Sequence, residues 1–433
     1  MTFLNKVLQS FVVQIVILVC SVGSSILTAR YLGPEGRGEL AVLQSMIFIS
    51  TYLGNLGVHA SIVYFGARAT GERVEAVFST ALIVGILSGF VLTVIVLAIA
   101  VISPSAFPGI SWLLITVASL QILPTLLIYF IQHLLLARDR IKAMNVFLLS
   151  YAVLNLILPA IVFLVFHAGL WEYVEYQTLL VFLLMIGIAQ YVYRHMGIRV
   201  SRKFSIETAK ELMSYGFISF LAGLMSVVIM RSNIFFINHY LGANATGNYA
   251  VASRFGDSLT MLPTTVGFLL MPRISADPRD IEITPRISRI LAMVLGFICI
   301  VGSFCMAWIV RLLYGNRFDD AVVPSMLILF AYAFLSLELI YANYMMGRGY
   351  PNKLIFAWIP ALIVNIVLNI VLIPRVGLVG AALSSLGTYI LVFALVFRMM
   401  KKLTPIRWWD FFAPRFSDLE AITRQFRRAT GDS

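Results

Sequence analysis

Charged residues are scarce in this chain. Asp, Glu, Lys and Arg make up 12% of its 433 residues, about half the share of a soluble domain. Hydrophobic residues make up 60%, and the mean hydropathy is +0.93. This shortage of charge excludes a soluble globular protein and indicates a polytopic membrane protein.

Cysteines, histidines and catalytic motifs are also sparse. The three cysteines lie in apolar segments, which argues against a disulfide framework or a thiolate metal site, and the five histidines are scattered. The sequence has no phosphate-binding Gly-Lys-Ser/Thr loop, no His-Glu-x-x-His and no Gly-x-Ser-x-Gly. We therefore expect no catalytic residues, no metal and no cofactor, and we predict that the protein is not an enzyme.

Long apolar runs account for most of the chain. Each is close to the ~20 residues that a helix needs to cross a bilayer. Such runs predict helices, because backbone polar groups in lipid must be satisfied within the segment. The predicted fold class is all-α, with about twelve transmembrane helices joined by short turns such as 33–36 and 242–244. The predicted spans are 8–32, 38–66, 74–102, 111–137, 144–168, 174–196, 211–241, 245–271, 287–314, 322–347, 354–373 and 378–402.

An internal repeat divides the chain near its middle. Residues 31–42 and 240–251 share six identities in twelve positions, and in both copies the block joins one apolar segment to the next. We infer two six-helix lobes of common descent, at 1–203 and 204–402. An even number of spans in each lobe makes this a parallel repeat, an arrangement found in many transporters.

Lys and Arg predict the orientation. With the N-terminus in the cytoplasm, 25 of the 32 basic residues fall on cytoplasmic segments and five on outer segments, so both termini are predicted to be cytoplasmic. This bias accounts for most of the net charge of +12, and no nucleic-acid partner is needed to explain it. The five predicted outer residues are Arg30, Arg37, Arg311, Arg317 and Arg375.

The segment 403–433 differs from the rest. It combines tryptophan and phenylalanine with a short basic helix, which predicts a cytoplasmic interfacial amphipathic tail on anionic lipids. A helix that docks onto a partner protein is the alternative.

Four ionisable residues lie deep inside predicted spans, where charge is costly and often functional. They are Arg231, Arg254, Asp257 and Glu338. They could pair as Arg254–Asp257 and Arg231–Glu338 and only join helices, or they could line a water-filled cavity for an anionic substrate. Three of them lie on the first two helices of the second lobe, and the equivalent first-lobe helices have no buried charge in this prediction. That asymmetry favours the cavity.

Ion coupling requires a carboxylate that changes its protonation state, and only Asp257 and Glu338 are deep enough. Arg254, three residues before Asp257, should keep that carboxylate ionised. Glu338 has no charged residue on adjacent turns of its helix, so we predict it as the coupling residue. Arg30 lies just before the outer turn of helix 1 and either reaches the membrane surface or lines an outward cavity.

Two segments carry a resemblance to a known family. Residues 29–41 resemble the first-loop signature of the polysaccharide transporter family, the lipid-linked oligosaccharide or O-antigen flippases of the multidrug/oligosaccharidyl-lipid/polysaccharide exporter (MOP) superfamily. Residues 231–250 are similar to the family's helix 7–8 pattern. The resemblance covers the helical body, 1–402.

The resemblance implies two six-helix lobes around a V-shaped cavity. It implies that undecaprenyl-pyrophosphate-linked sugars move from the inner to the outer leaflet of the bacterial cytoplasmic membrane, for polysaccharide biosynthesis. The implied partners are this anionic lipid-linked oligosaccharide, membrane lipids, a proton or sodium ion, and glycan polymerase machinery. The predicted substrate-binding residues are Arg231, Arg254, Asn233 and Arg30. Family members often carry an acidic residue where this chain has Asn233.

Three other functional classes are alternatives to this one. A multidrug or cation exporter of the same superfamily should have an acidic cavity and a carboxylate in helix 1, which is absent here. A lipid II flippase usually has two further helices. A membrane polysaccharide polymerase or ligase needs a large outer loop, whereas the predicted outer loops are short.

Overall fold

Helices make up nearly all of the computed structural model, which describes residues 3–69, 72–196, 205–261, 263–264, 283–347, 351–403 and 409. No β-strand occurs among these residues. The helices are α1 (Phe3–Asn55), α2 (Val58–Arg68), α3 (Glu72–Ile102), α4 (Trp112–Ser119), α5 (Ile122–Ala137), α6 (Ile141–Ala160), α7 (Leu170–Met196), α8 (Ile206–Leu259), α9 (Ile283–Tyr314), α10 (Val322–Gly347), α11 (Ile355–Val376) and α12 (Leu378–Lys401).

Ten helical stretches in the described residues are long and apolar enough to cross a membrane. Two of them, α1 and α8, are broken in the middle and each supply two crossings. The short α4 continues into α5 as one crossing. The total is twelve, which confirms the predicted all-α, twelve-helix membrane fold. Large side chains on the outside of the bundle, such as Phe304 and Trp308, are exposed as expected in lipid.

A single glycine breaks each of the two long helices. Gly33 has φ 68° and ψ −178°, and Gly242 has φ 82° and ψ −180°. Only glycine adopts this conformation without strain. Helical geometry resumes at the next residue, where Pro34 is well suited to a first helical position. The predicted turns 33–36 and 242–244 are therefore wrong, because one residue makes each bend.

The repeat places the two bends against each other. A Cβ on Gly38 would meet the carbonyl oxygen of Ala243, and a Cβ on Gly247 would meet that of Pro34. Each residue of one contact lies 209 positions from its equivalent in the other. The contact is thus reciprocal about an approximate two-fold axis, and glycine permits backbone-to-backbone approach at its centre.

Helices pack both within each half of the chain and between the halves. In the first half α5 packs against α2 and α3, in the second half α12 packs against α10 and α11, and α1 packs extensively against α8. The division into lobes at 203/204 stays a prediction, and its boundary lies outside the described residues. Of the predicted tail, 403–433, the structure describes only residues 403 and 409.

Candidate functional site

A cavity of about 640 Å³ lies between α1, α5, α6, α7 and α8. Helices of both halves of the chain therefore contribute to its wall. The polar and charged residues of the lining are Ser21, Ser24, Arg37, Gln44, Ser45, Thr51, Tyr52, Gln121, Thr125, Tyr129, Gln132, Tyr151, Asn155, Gln177, Arg231, Ser253, Arg254 and Asp257.

The charges in this lining are unbalanced. Among the described residues, it contains three arginines and one carboxylate, Asp257. With all four groups ionised, the cavity carries a net charge of +2. A concave site with this excess of guanidinium groups is suited to an anion.

Arg231 and Asp257 form an ion pair within the cavity. Both terminal nitrogens of Arg231 lie 3.3 Å from Asp257 Oδ2, and the Tyr332 hydroxyl donates to Oδ1 at 3.1 Å. The Arg231 guanidinium also lies over the Phe48 ring, 5.2 Å from its centroid. The bend at Gly242 lets the two segments of α8 run side by side, so residues 26 apart in sequence meet.

This arrangement corrects the predicted pairing. Asp257 pairs with Arg231, from the other segment of α8, and not with Arg254 three residues away. Arg254 instead donates to the Ser21 hydroxyl at a long 3.5 Å. Arg231 is consequently engaged by Asp257 and not by Glu338. Arg231 and Asp257 therefore form an ion pair and also line the cavity, so the two interpretations of these residues do not exclude each other.

Arg37 is the third cavity arginine, and its predicted place in an outer loop is wrong. Only 2% of the residue is exposed, and it lies in the first turn of helix after Gly33. Its Nε and Nη1 atoms are buried without a hydrogen-bond partner. Arg254 and Arg231 are both near enough to act on it electrostatically. The statement that the first half has no buried charge is therefore wrong.

A signal for Arg37 was present in the repeat. Gly33-Pro34-Glu35-Gly36 has the composition of a turn, but its second copy, Gly242-Ala243-Asn244-Ala245, lacks proline and a second glycine. That copy is compatible with helix immediately after the first glycine. Applying its pattern to the first copy would have placed Arg37 inside a helix.

Glu338 lies apart from the cavity. It is on α10, 2% exposed, and its Oε1 atom is buried without a hydrogen-bond partner. It does not belong to the cavity lining. The structure thus leaves Glu338 without the Arg231 partner that one interpretation gave it.

Asn233 also lies outside the cavity lining, in a neutral network between α8, α11 and α12. Its Nδ2 donates to the Tyr249 hydroxyl at 2.7 Å and to Ser385 Oγ at 2.6 Å, and its Oδ1 accepts from Asn369 at 2.7 Å. Only 1% of the residue is exposed. An amide engaged in this way joins helices, which does not favour direct contact with a substrate.

Arg30 joins the two halves of the chain at the end of the bundle that carries Gly33. It is exposed and donates to the backbone carbonyls of Leu312 and Leu313, in the last turn of α9. A cation there satisfies carbonyls that the helix leaves unpaired. Arg30 is not part of the cavity lining, so the structure does not bring it together with the other predicted substrate-binding residues.

The fold and the cavity together define a multi-pass membrane protein of the MOP transporter fold. The structure is similar to the lipid II flippase MurJ in an inward closed conformation, with TM-score 0.78, 15% identity, and 98% of this chain and 92% of that chain covered. It is also similar to an inward-facing multidrug resistance MATE family transporter, with TM-score 0.73, 17% identity, and coverage of 90% and 96%.

Sequence comparison identifies the family. The family described as polysaccharide biosynthesis protein matches residues 3–276, and the chain belongs to it. A probable flippase, AglR of Haloferax volcanii, is 27% identical over 176 residues, which cover 38% of this chain and 37% of AglR. The chain spans about two fifths of the length of the curated relatives it matches. The predicted family is thus confirmed, and the fold is that of transporters of the predicted superfamily.

Proposed function

We propose that this protein is a flippase. It carries an undecaprenyl-pyrophosphate-linked oligosaccharide from the inner to the outer leaflet of the bacterial cytoplasmic membrane, by alternating access, for polysaccharide biosynthesis such as that of O-antigen. The observation that carries the proposal is the cluster of Arg37, Arg231 and Arg254 in one cavity with a single carboxylate. Family membership and the flippase AglR among the relatives support it.

The charges of the cavity match a diphosphate. Asp257 compensates Arg231, which leaves two guanidinium groups to balance two negative charges on the ligand. A buried cation without a partner costs several kcal/mol. Arg37 is such a cation, so an anion that reaches its free Nε and Nη1 would gain strongly by binding.

A multidrug exporter is the alternative, because a MATE transporter shares the fold. The charge of the cavity disfavours it for cationic drugs, which three arginines would repel. A polymerase or ligase is less well supported, since the relatives described above are a flippase or have transporter folds. We therefore propose a transporter and not an enzyme.

Arginine substitution tests the proposal. Arg254→Ala should lower surface glycan by at least about tenfold, the value of one charge-assisted hydrogen bond, at unchanged protein abundance. Arg254→Lys should partly restore it, because a point charge still attracts phosphate although the planar fork is lost. For Arg231 the variant Arg231→Ala/Asp257→Asn avoids leaving an unpaired carboxylate.

The matched control is Arg311→Ala. Arg311 is exposed and pairs with Asp319 at 2.9 Å outside the cavity, so its loss should leave glycan export unchanged. Full export by the Arg254 and Arg231 variants would show that the cavity arginines are structural and would contradict the proposal.

For energy coupling we propose that Glu338 takes up and releases a proton. Asp257 is occupied by Arg231 and Tyr332, whereas the Glu338 carboxyl has a buried oxygen without a partner. Glu338→Gln keeps the shape and removes titration, so it should abolish gradient-dependent transport and the accompanying proton flux in proteoliposomes. Unaltered gradient dependence would rule out this role, and dependence on sodium alone would assign a different ion.

We further propose that both termini lie in the cytoplasm, with the Gly33 end of the bundle outside. Reporter fusions at Gly71 and Ser433 should then read as cytoplasmic, and one at Pro108 as external. An external C-terminus would contradict this topology. We also propose a role beside glycan polymerase machinery, because the proposed substrate is a precursor that a polymerase consumes.

A further inference from the structure

Part of the cavity lining is polar but uncharged. Three of its residues, Gln44, Gln132 and Gln177, come from three different helices: α1, α5 and α7. We call them the amide wall. Every ionised residue of the described lining belongs instead to α8 or is Arg37.

The amides of this wall are unused within the described residues. None of the three glutamines makes a hydrogen bond to another described residue, although each is half-buried. Thr51, seven residues after Gln44 on the same face of α1, has a buried Oγ1 without a partner. A buried hydroxyl normally finds a partner, and the three amides face the cavity with their donors and acceptors free. These groups are therefore available to a ligand or to water.

Aromatic rings lie beside the free amides. Tyr52 and Tyr129 line the same cavity. The Tyr52 ring stacks on Phe220, with centroids 6.1 Å apart, and Tyr129 packs against His133, with centroids 4.3 Å apart. Their neighbours thus hold both rings in place. Amide groups bind hydroxyls as donor and acceptor at once, and aromatic faces pack against the apolar C–H faces of sugar rings.

We propose that the amide wall binds an uncharged sugar residue attached to the diphosphate. This inference rests on the proposed function, because the diphosphate site fixes where the sugar lies. The net +2 of the cavity is already matched by the diphosphate, and the wall itself carries no cation. With the arginines occupied by the diphosphate, a sugar carboxylate at the wall would lose hydration without gaining a free cation as its partner. The wall therefore selects against acidic sugars.

Binding of three probes to the purified protein in lipid nanodiscs tests the proposal. The probes are farnesyl diphosphate capped as its methyl ester (called farnesyl diphosphate below), farnesyl diphosphate-linked glucose and farnesyl diphosphate-linked glucuronic acid. The methyl cap gives the first probe the same two diphosphate charges as the other two. Glucose should tighten binding by at least about tenfold, as expected for two or three neutral hydrogen bonds, and glucuronic acid should not. In Gln132→Leu/Gln177→Leu the increment from glucose should disappear, while the Kd of farnesyl diphosphate stays unchanged.

Gln190→Leu is the matched control. Gln190 lies on α7, is exposed and is not part of the lining, so its loss should leave all three affinities unchanged. Unchanged farnesyl diphosphate binding by the double variant also shows that it is folded.

Three outcomes would contradict either the amide wall or the proposed function. Equal affinity for the glucose and glucuronic acid probes, or an intact glucose increment in the double variant, overturns the amide wall. Failure of farnesyl diphosphate to bind contradicts the proposed function instead. The wall is then judged with the glucose probe alone: binding that the double variant loses supports it, and binding that persists, or no binding by the wild type, overturns it.

Discussion

The blocks 31–42 and 240–251 have the same backbone and different chemistry. Each begins with a bend at one positive-φ glycine and continues as helix, and Gly38 and Gly247 bring the two backbones together. The position four residues after the bend differs: it is Arg37 in the first block and Thr246 in the second. Arg37 faces the cavity, whereas Thr246 donates to the Gly242 carbonyl within its own helix. The repeat thus preserves the bend, while only the first copy contributes a charged residue to the cavity.

The largest effect is expected where the two blocks touch. In Gly38→Ala or Gly247→Ala the new methyl group would meet backbone of the other block, which cannot rotate away. Each variant should lose at least about 3 kcal/mol, the upper end of ordinary overpacking, because the helices must separate. The measurement is the midpoint of thermal unfolding in nanodiscs. The near-symmetry of the contact predicts similar losses for the two variants.

Gly187→Ala is the control for this pair. Gly187 lies inside α7 with no atom within 4 Å of an added Cβ, so alanine should be neutral or stabilise slightly by its helix propensity. A loss for Gly38→Ala or Gly247→Ala no larger than that of this control would show that the backbones are not in contact there.

The membrane-spanning helices were predictable from the sequence, but the side-chain contacts between them were not. Span-length apolar runs and the repeat suffice for twelve helices, because both signals extend over many residues. Arg37 was missed because one positive-φ glycine can replace a four-residue turn, which composition does not reveal. The Arg231–Asp257 pair was missed because helical spacing favoured Arg254, whereas the bend at Gly242 returns the chain beside Arg231.

A smaller effect is expected at the bends. Gly33→Ala and Gly242→Ala introduce no close contact, since the nearest atom to a Cβ on Gly33 is 3.9 Å away and none lies within 4 Å of Gly242. The cost is the backbone conformation alone, about 1–3 kcal/mol in each half. Thermal unfolding should rank both variants between Gly38→Ala and Gly187→Ala. If they are as harmless as Gly187→Ala, the bends are not held in this conformation.

Arg37→Thr gives the first block the residue that the second block has at the equivalent position, Thr246. We expect this variant to have the smallest effect on stability and a large effect on transport. The substitution removes a buried cation whose Nε and Nη1 have no partner, so the free energy of unfolding should stay the same or rise. Transport should fall by at least about tenfold, because a charge-assisted contact to the ligand is lost. Surface glycan and thermal unfolding, measured on the same variant, separate these two effects. A fall in both surface glycan and thermal stability would show that Arg37 supports the bend. The two blocks would then differ in packing and not in ligand binding.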